Sequence, residues 1–85
     1  MKLESQKELE KQLQKDATNG FKFYIVEGIF RGRPNIAEIT GIKKDSGSTE
    51  GFSYQSCELR QPQLRRIKNT ILKLNIPLKK YEIND

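Results

Sequence analysis

The sequence predicts an α+β domain in the order α-β-β-β-α, a three-stranded antiparallel meander packed by an N-terminal and a C-terminal helix, with a short fourth strand as an option at the end. Three observations carry this. Apolar residues recur at helical spacing over residues 3–17 and again from Leu64 to Leu74. Between those segments lie three strand-like runs separated by clusters of turn formers. The chain has 85 residues, which suits one small core and leaves no room for a second domain. Residues 1–85 therefore read as a single domain, divided into a first helix (1–20), the meander (21–60) and a basic helix and tail (61–85).

In the first helix Leu9, Leu13 and Ala17 recur every four positions, and Glu4–Lys7 and Glu8–Lys11 are opposite-charge pairs three apart. "TNG" at 18–20 stops it, with Asn19 or Gly20 suited to a left-handed cap. The stripe is thin, so this helix is expected on the domain surface or against a partner. In "FKFYIVEGIF" (21–30) Phe21, Phe23 and Ile25 point one way and Tyr24 and Val26 the other. Apolar groups on both faces imply a central or well-covered strand, and Gly28 suggests a bulge. "RGRPN" turns the chain into a second, antiparallel strand, "IAEITGIKK". "DSGSTEG" (45–51) reads as an exposed loop, and "FSYQSCEL" (52–59) as a polar edge strand.

The second helix has the stronger signal. Pro62 suits a first helical turn, and Leu64, Ile67, Ile71 and Leu74 make a continuous seam until Asn75 and Pro77 end it. Arg65, Arg66, Asn69 and Lys73 fall away from that seam, and Lys68 flanks it. "LKKYEIND" supplies the optional fourth strand, through Tyr81 and Ile83.

Composition narrows the function classes. Apolar residues make up 34% and charged residues 32%, a lean but soluble balance. The charged N-terminus is unlike a secretory signal, and no run approaches the roughly 20 apolar residues of a membrane span, so the cytoplasm is the expected compartment. Histidine is absent and Cys57 is the only cysteine. That removes the usual general base, the common nucleophile pairs and most zinc sites, and no cofactor is expected. Catalysis would have to rest on carboxylates such as Glu27, Glu38 or Glu58, which nothing in the sequence pairs; the expectation is a non-enzyme.

The net charge of +5 is uneven. Residues 1–20 hold four lysines against four acids, whereas residues 61–85 hold six bases against two acids. Between Glu58 and Glu82 there is no acid, yet Arg60, Arg65, Arg66, Lys68, Lys73, Lys79 and Lys80 lie in that interval. Such a stretch attracts polyanions.

"RGRP" (Arg31 to Pro34) resembles the core of an AT-hook, which lies along the minor groove of A/T-rich DNA. The likeness covers four residues, and the flanking Ile29, Phe30, Asn35 and Ile36 depart from it. It therefore reads first as a hairpin tip, in which Gly32 supplies a positive φ and Arg31 and Arg33 can touch phosphate. The α-β-β-β-α order is similar to that of double-stranded-RNA-binding domains, without their basic helix start or hairpin motif. "RGRPNIAEITGI" with "IKNTILKLNIPLKKYEIN" resembles the first domain of magnesium-chelatase-like competence proteins, without that family's further signature or ATPase domain. Tyr24, Phe30, Phe52 and Tyr54 could stack bases beside arginines, but a chain with so few aromatics needs them for its core.

The leading expectation is a small nucleic-acid-binding module. Its cations would be Arg65, Arg66, Lys68, Lys73, Lys79 and Lys80, helped by Arg31 and Arg33. The rival is a protein-binding adaptor or inhibitor of the accessory kind found in phages and mobile elements, acting for instance on a host nucleic-acid-handling complex. Either would be served by a homodimer formed through the first helix or the edge strand.

Overall fold

Local chemistry at the element ends sets the frame of the computed structural model, which describes residues 5–45, 48–55 and 59–81. The first helix, α1 (Gln6–Thr18), starts at Ser5, whose Oγ accepts from the Glu8 amide at 3.4 Å. That S-x-x-E spacing is a capping signal placing the start three residues later than periodicity alone suggests; Glu4 falls outside the described residues. At the other end the Phe21 amide reaches Asp16 O and the Gly20 amide reaches Ala17 O, with Gly20 at φ 96. This is a Schellman closure. The second helix, α2 (Gln61–Lys73), ends in the same way: Ile76 N reaches Ile71 O and Asn75 N reaches Leu72 O, with Asn75 at φ 58.

Between and after the helices run β1 (Lys22–Phe30), β2 (Arg33–Asp45), β3 (Ser48–Gln55) and β4 (Leu78–Lys80). They form one sheet in the order β3-β2-β1-β4. β2 pairs antiparallel with both β1 and β3, while β4 lies parallel to β1. The protein is thus α+β with a mixed four-stranded sheet and two helices. The last strand departs from the expected position: it is Leu78–Lys80, and Tyr81 only adds an amide bond to Ile25 O at 2.8 Å. The turn at Asn75 and Pro77 delivers the chain beside Phe23, so pairing begins at once. Ile83 lies outside the described residues.

Two further boundaries differ from expectation. Most of the loop foreseen at 45–51 is ladder, with Lys43 opposite Glu50 and Asp45 opposite Ser48. Turn-forming residues are tolerated there because an edge strand has one neighbour to satisfy. β3 accordingly starts at Ser48 and not at Phe52 and is described as far as Gln55, while Cys57 and Glu58 lie outside the described residues. The bulge is in β2 and not at Gly28: Val26 faces Glu38 and Glu27 faces Ile36, leaving Ala37 as the extra residue. Ile36 and Ile39, three apart, would point to opposite faces of a regular strand. The bulge turns both inward, and both are buried.

The core lies between one face of the sheet and the two helices. Leu9 and Leu13 of α1 join Phe23, Ile25, Ile36, Ile39, Leu59, Leu64, Ile67 and Ile71 in a single buried cluster. The thin stripe of α1 is therefore used up by the domain's own core. β1 is central in the sheet, but only its odd-numbered residues Phe23 and Ile25 are buried; Tyr24 and Val26 are half-buried on the other face. Asp16 is also buried, at the end of α1, and takes a 3.0 Å bond from Gln12 Nε2. Burial raises its carboxyl pKa.

Candidate nucleic-acid interface

The tip of the β1–β2 hairpin is a two-residue turn. Arg31 (φ 51) and Gly32 (φ 75) both occupy the left-handed region, the type I′ pattern whose twist matches the strands. Gly32 takes this conformation freely, whereas for Arg31 it costs about 1 kcal/mol. Arg33 and Pro34 are already in β2, opposite Phe30 and Ile29. Arg31, Gly32, Arg33 and Pro34 are all exposed.

β4 accompanies β1 only to Ile25, and β3 accompanies β2 only from Glu38 onward. Among the described residues, Glu27–Phe30 and Arg33–Ile36 thus form a two-stranded ribbon beyond the flanks of the sheet. Its base is tied to α2, because Gln61 Nε2 donates to Ile36 O at 2.6 Å.

The outward face of α2 borders two concavities. One, of about 230 Å³, lies between the helix and the ribbon and is lined by Pro34, Asn35, Glu27, Arg65, Lys68 and Asn69. The other, of about 480 Å³, lies between the helices, lined by Gln6, Arg65, Arg66, Asn69 and Lys73 among others. Arg65 and Asn69 line both, so the two form adjoining parts of one surface.

Not all the cations expected at this surface have the same role. Arg66 Nε donates to Gln6 Oε1 at 2.7 Å, and Gln6 Nε2 donates to Thr70 Oγ1 at 2.9 Å. Thr70 Oγ1 in turn donates to Arg66 O at 2.7 Å, which explains how a polar residue is buried beside the seam. Lys73 Nζ lies 3.0 Å from Glu10 Oε1, and that hydrogen bond holds the Glu10 carboxyl below its usual range. Arg66 and Lys73 therefore clasp α1 to α2. Lys80 Nζ lies 3.5 Å from Glu27 Oε2, so it reaches the rim of the smaller concavity through an acid. Lys79 lines a different cavity, with Phe21 and Pro77 at the opposite end of β1. Arg65 and Lys68 are the pair that the fold brings against the ribbon stem, below Arg31 and Arg33.

The aromatics divide between core and open face. Phe52 packs against Phe21 (5.5 Å between centroids) and Phe23 (5.9 Å), on the helix side of the sheet. Tyr24 meets Tyr81 edge to face on the other side. The side chains of Phe30 and Tyr54 lie outside the description. Sequence reasoning passed over Gln6 as a tether for Arg66, and it noted Ile29 only as a flank of "RGRP". Ile29 is 83% exposed, the most of any large apolar residue described. An apolar residue one step before a tight turn, outside the seam-forming set, was the available signal.

Glu27 lines the groove with α2, whereas Glu38 lies opposite Val26 and accepts from Thr40. Among the described residues no group of three or more histidine, cysteine or acidic side chains could hold a metal ion. No described helix is long and apolar enough to cross a membrane. Compared with protein-family models, curated proteins and solved structures, the chain finds no match.

Proposed function

We propose that the protein is a small non-enzymatic module that binds nucleic acid by its phosphates, along the outward face of α2 and the adjoining ribbon. The observation that carries this is the convergence of Arg65 and Lys68 with the stem of the Arg31–Arg33 hairpin in one groove. α2 supplies both cations of this groove, the ribbon stem supplies Pro34, Asn35 and the acid Glu27, which Lys80 offsets at 3.5 Å, and Arg31 and Arg33 lie further along the same ribbon. Such a row neutralises phosphates without reading bases, so affinity should fall steeply with salt. Arg66 and Lys73 would add field strength while remaining tethers, and Lys79 and Lys80 would contribute at longer range.

The test is a mobility-shift titration of duplex and single-stranded DNA at two salt concentrations, with the native chain and Arg65→Glu/Lys68→Glu. The expected result is a strong salt dependence that shrinks by about two counterions in the variant. Weak binding with no salt slope would sink the reading.

One observation favours the rival, a protein-binding adaptor or inhibitor. Half-buried Tyr24 and Val26 on the open sheet face lie beside exposed Tyr81, a surface suited to a partner's apolar side chains. A stoichiometric protein partner that survives nuclease treatment during copurification would favour that reading over the first.

A further inference from the structure

We propose that the β1–β2 ribbon is a wedge for duplex DNA: its tip enters the minor groove, Ile29 inserts at a base step, and Arg31 and Arg33 lie against the flanking phosphates. This rests on the nucleic-acid reading above and adds to it the form of the ligand and the deformation imposed on it.

The tip is built at odds with a purely structural role. Ile29 is 83% exposed, and its cross-strand partner Pro34 is exposed too, so an apolar pair stands in water directly behind the tip that carries exposed Arg31 and Arg33. An isoleucine this exposed forgoes most of the stabilisation that burial would bring. Packing does not account for it, since Ile29 is no part of the buried cluster.

Shape points the same way. Beyond Glu27 the ribbon is two strands wide among the described residues, so its narrow tip can enter a minor groove that opens as the duplex is kinked. The paired left-handed residues of the turn stiffen its tip, and the bond from Gln61 to Ile36 O anchors its base. Pro34 has no amide hydrogen to offer a further strand, which argues against the ribbon serving as a sheet edge for a partner.

Charge selects the ligand. Residues 28–37 contain no acid, and at the ribbon's base Lys68 and Arg65 line the groove with Glu27, whose charge Lys80 offsets. A track running back from the tip suits phosphates lining a groove better than the flat surface of an anionic bilayer. Arginine is favoured in a narrow minor groove, and apolar wedges that unstack a step there recover the cost by letting the bent duplex meet more protein. The α2 groove beside the ribbon is the surface such a bent duplex would meet.

The experiment uses the full chain and an A/T-rich duplex carrying 2-aminopurine, with a fluorophore pair at its ends. Native protein should raise the 2-aminopurine signal, shorten the end-to-end distance and be displaced by netropsin, a minor-groove ligand. Ile29→Ser should melt at the native temperature and bind the duplex within about tenfold of native, with the same salt slope, while losing both unstacking and bending. Ile29→Leu should restore them. Salt-dependent duplex binding without unstacking, or with unstacking unchanged in Ile29→Ser, overturns the wedge and leaves the phosphate reading intact. Absence of any nucleic-acid binding removes both. Binding to phosphatidylglycerol vesicles with no binding to duplex overturns the proposal and assigns the tip to a membrane surface.

Discussion

Gln61 Nε2 donates to the carbonyl oxygen of Ile36 at 2.6 Å, joining the first residue of α2 to the strand segment beside the β2 bulge. The extra residue Ala37 interrupts the ladder here, so a carbonyl that a regular strand would pair depends on a side chain instead. The bond therefore fixes both the helix start and the direction in which the ribbon leaves the sheet. Gln61→Ala should cost about 1–2 kcal/mol, because it leaves that acceptor unsatisfied. The loss stays modest because Gln61 Oε1 is itself buried without a hydrogen-bond partner. Urea denaturation checks the magnitude, and an unchanged midpoint would show that the bond does not stabilise the fold.

A second close approach governs the sheet. Gly41 is buried opposite Phe52, and a Cβ placed on Gly41 would come within 2.3 Å of the Phe52 ring. The ring covers the glycine while meeting Phe21 and Phe23 at its edges. Gly41→Ala must displace it, and overpacking of this kind costs about 1–3 kcal/mol. The double variant Gly41→Ala/Phe52→Leu should lose less than the sum of the two single variants, since the clash is then relieved. Additive losses would refute the coupling.

Asp16 makes stability depend on pH in a defined direction. Its folded pKa is raised from the ordinary 3.8 because burial disfavours the charged form, a cost the bond from Gln12 only partly offsets. The folded state thus holds this proton more tightly than the unfolded chain does. Its contribution is most favourable at pH below 3.8 and declines as pH rises through the interval up to the raised value. An acid in the last turns of a helix also opposes the helix dipole. Asp16→Asn keeps an acceptor for Gln12 and should raise Tm by a few degrees at pH 7, with little gain at pH 3. Equal shifts at the two pH values would contradict this account.

What the sequence reveals here depends on range. The second helix was legible because Leu64, Ile67 and Ile71 repeat within a few residues, and all three are fully buried. The start of β3 was not, because Ser48, Thr49 and Gly51 have turn-like chemistry and become strand only by pairing with Asp45, Lys44 and Ile42 respectively. β4, at three residues, is too short to show alternation. At the candidate interface the excess of positive charge could be read directly. Its division of labour could not, because Arg66 and Lys73 find Gln6 and Glu10 across 60 and 63 residues of chain. Contacts at that separation follow from the packing of α1 on α2, which no local pattern encodes.

Self-association should run through the edge of the sheet. Two elements were candidates on sequence, the first helix and the edge strand. Leu9 and Leu13 are buried in the domain's own core, which removes the apolar surface that α1 would have offered. Among the described residues no strand pairs with the far side of β3, and the side chains there give little charge beyond Glu50. Two copies related by a twofold axis can join their β3 strands antiparallel and make one continuous sheet, satisfying both rows of backbone groups. The two α2 faces would then be displayed by one particle, doubling the phosphate contacts. Light scattering at micromolar concentration should give about twice the 9.9 kDa chain mass. Ser53→Lys, which brings like charges together across that axis, should return the mass to the single chain without lowering the salt slope contributed by each copy. A native mass of 9.9 kDa at those concentrations would reject the pairing.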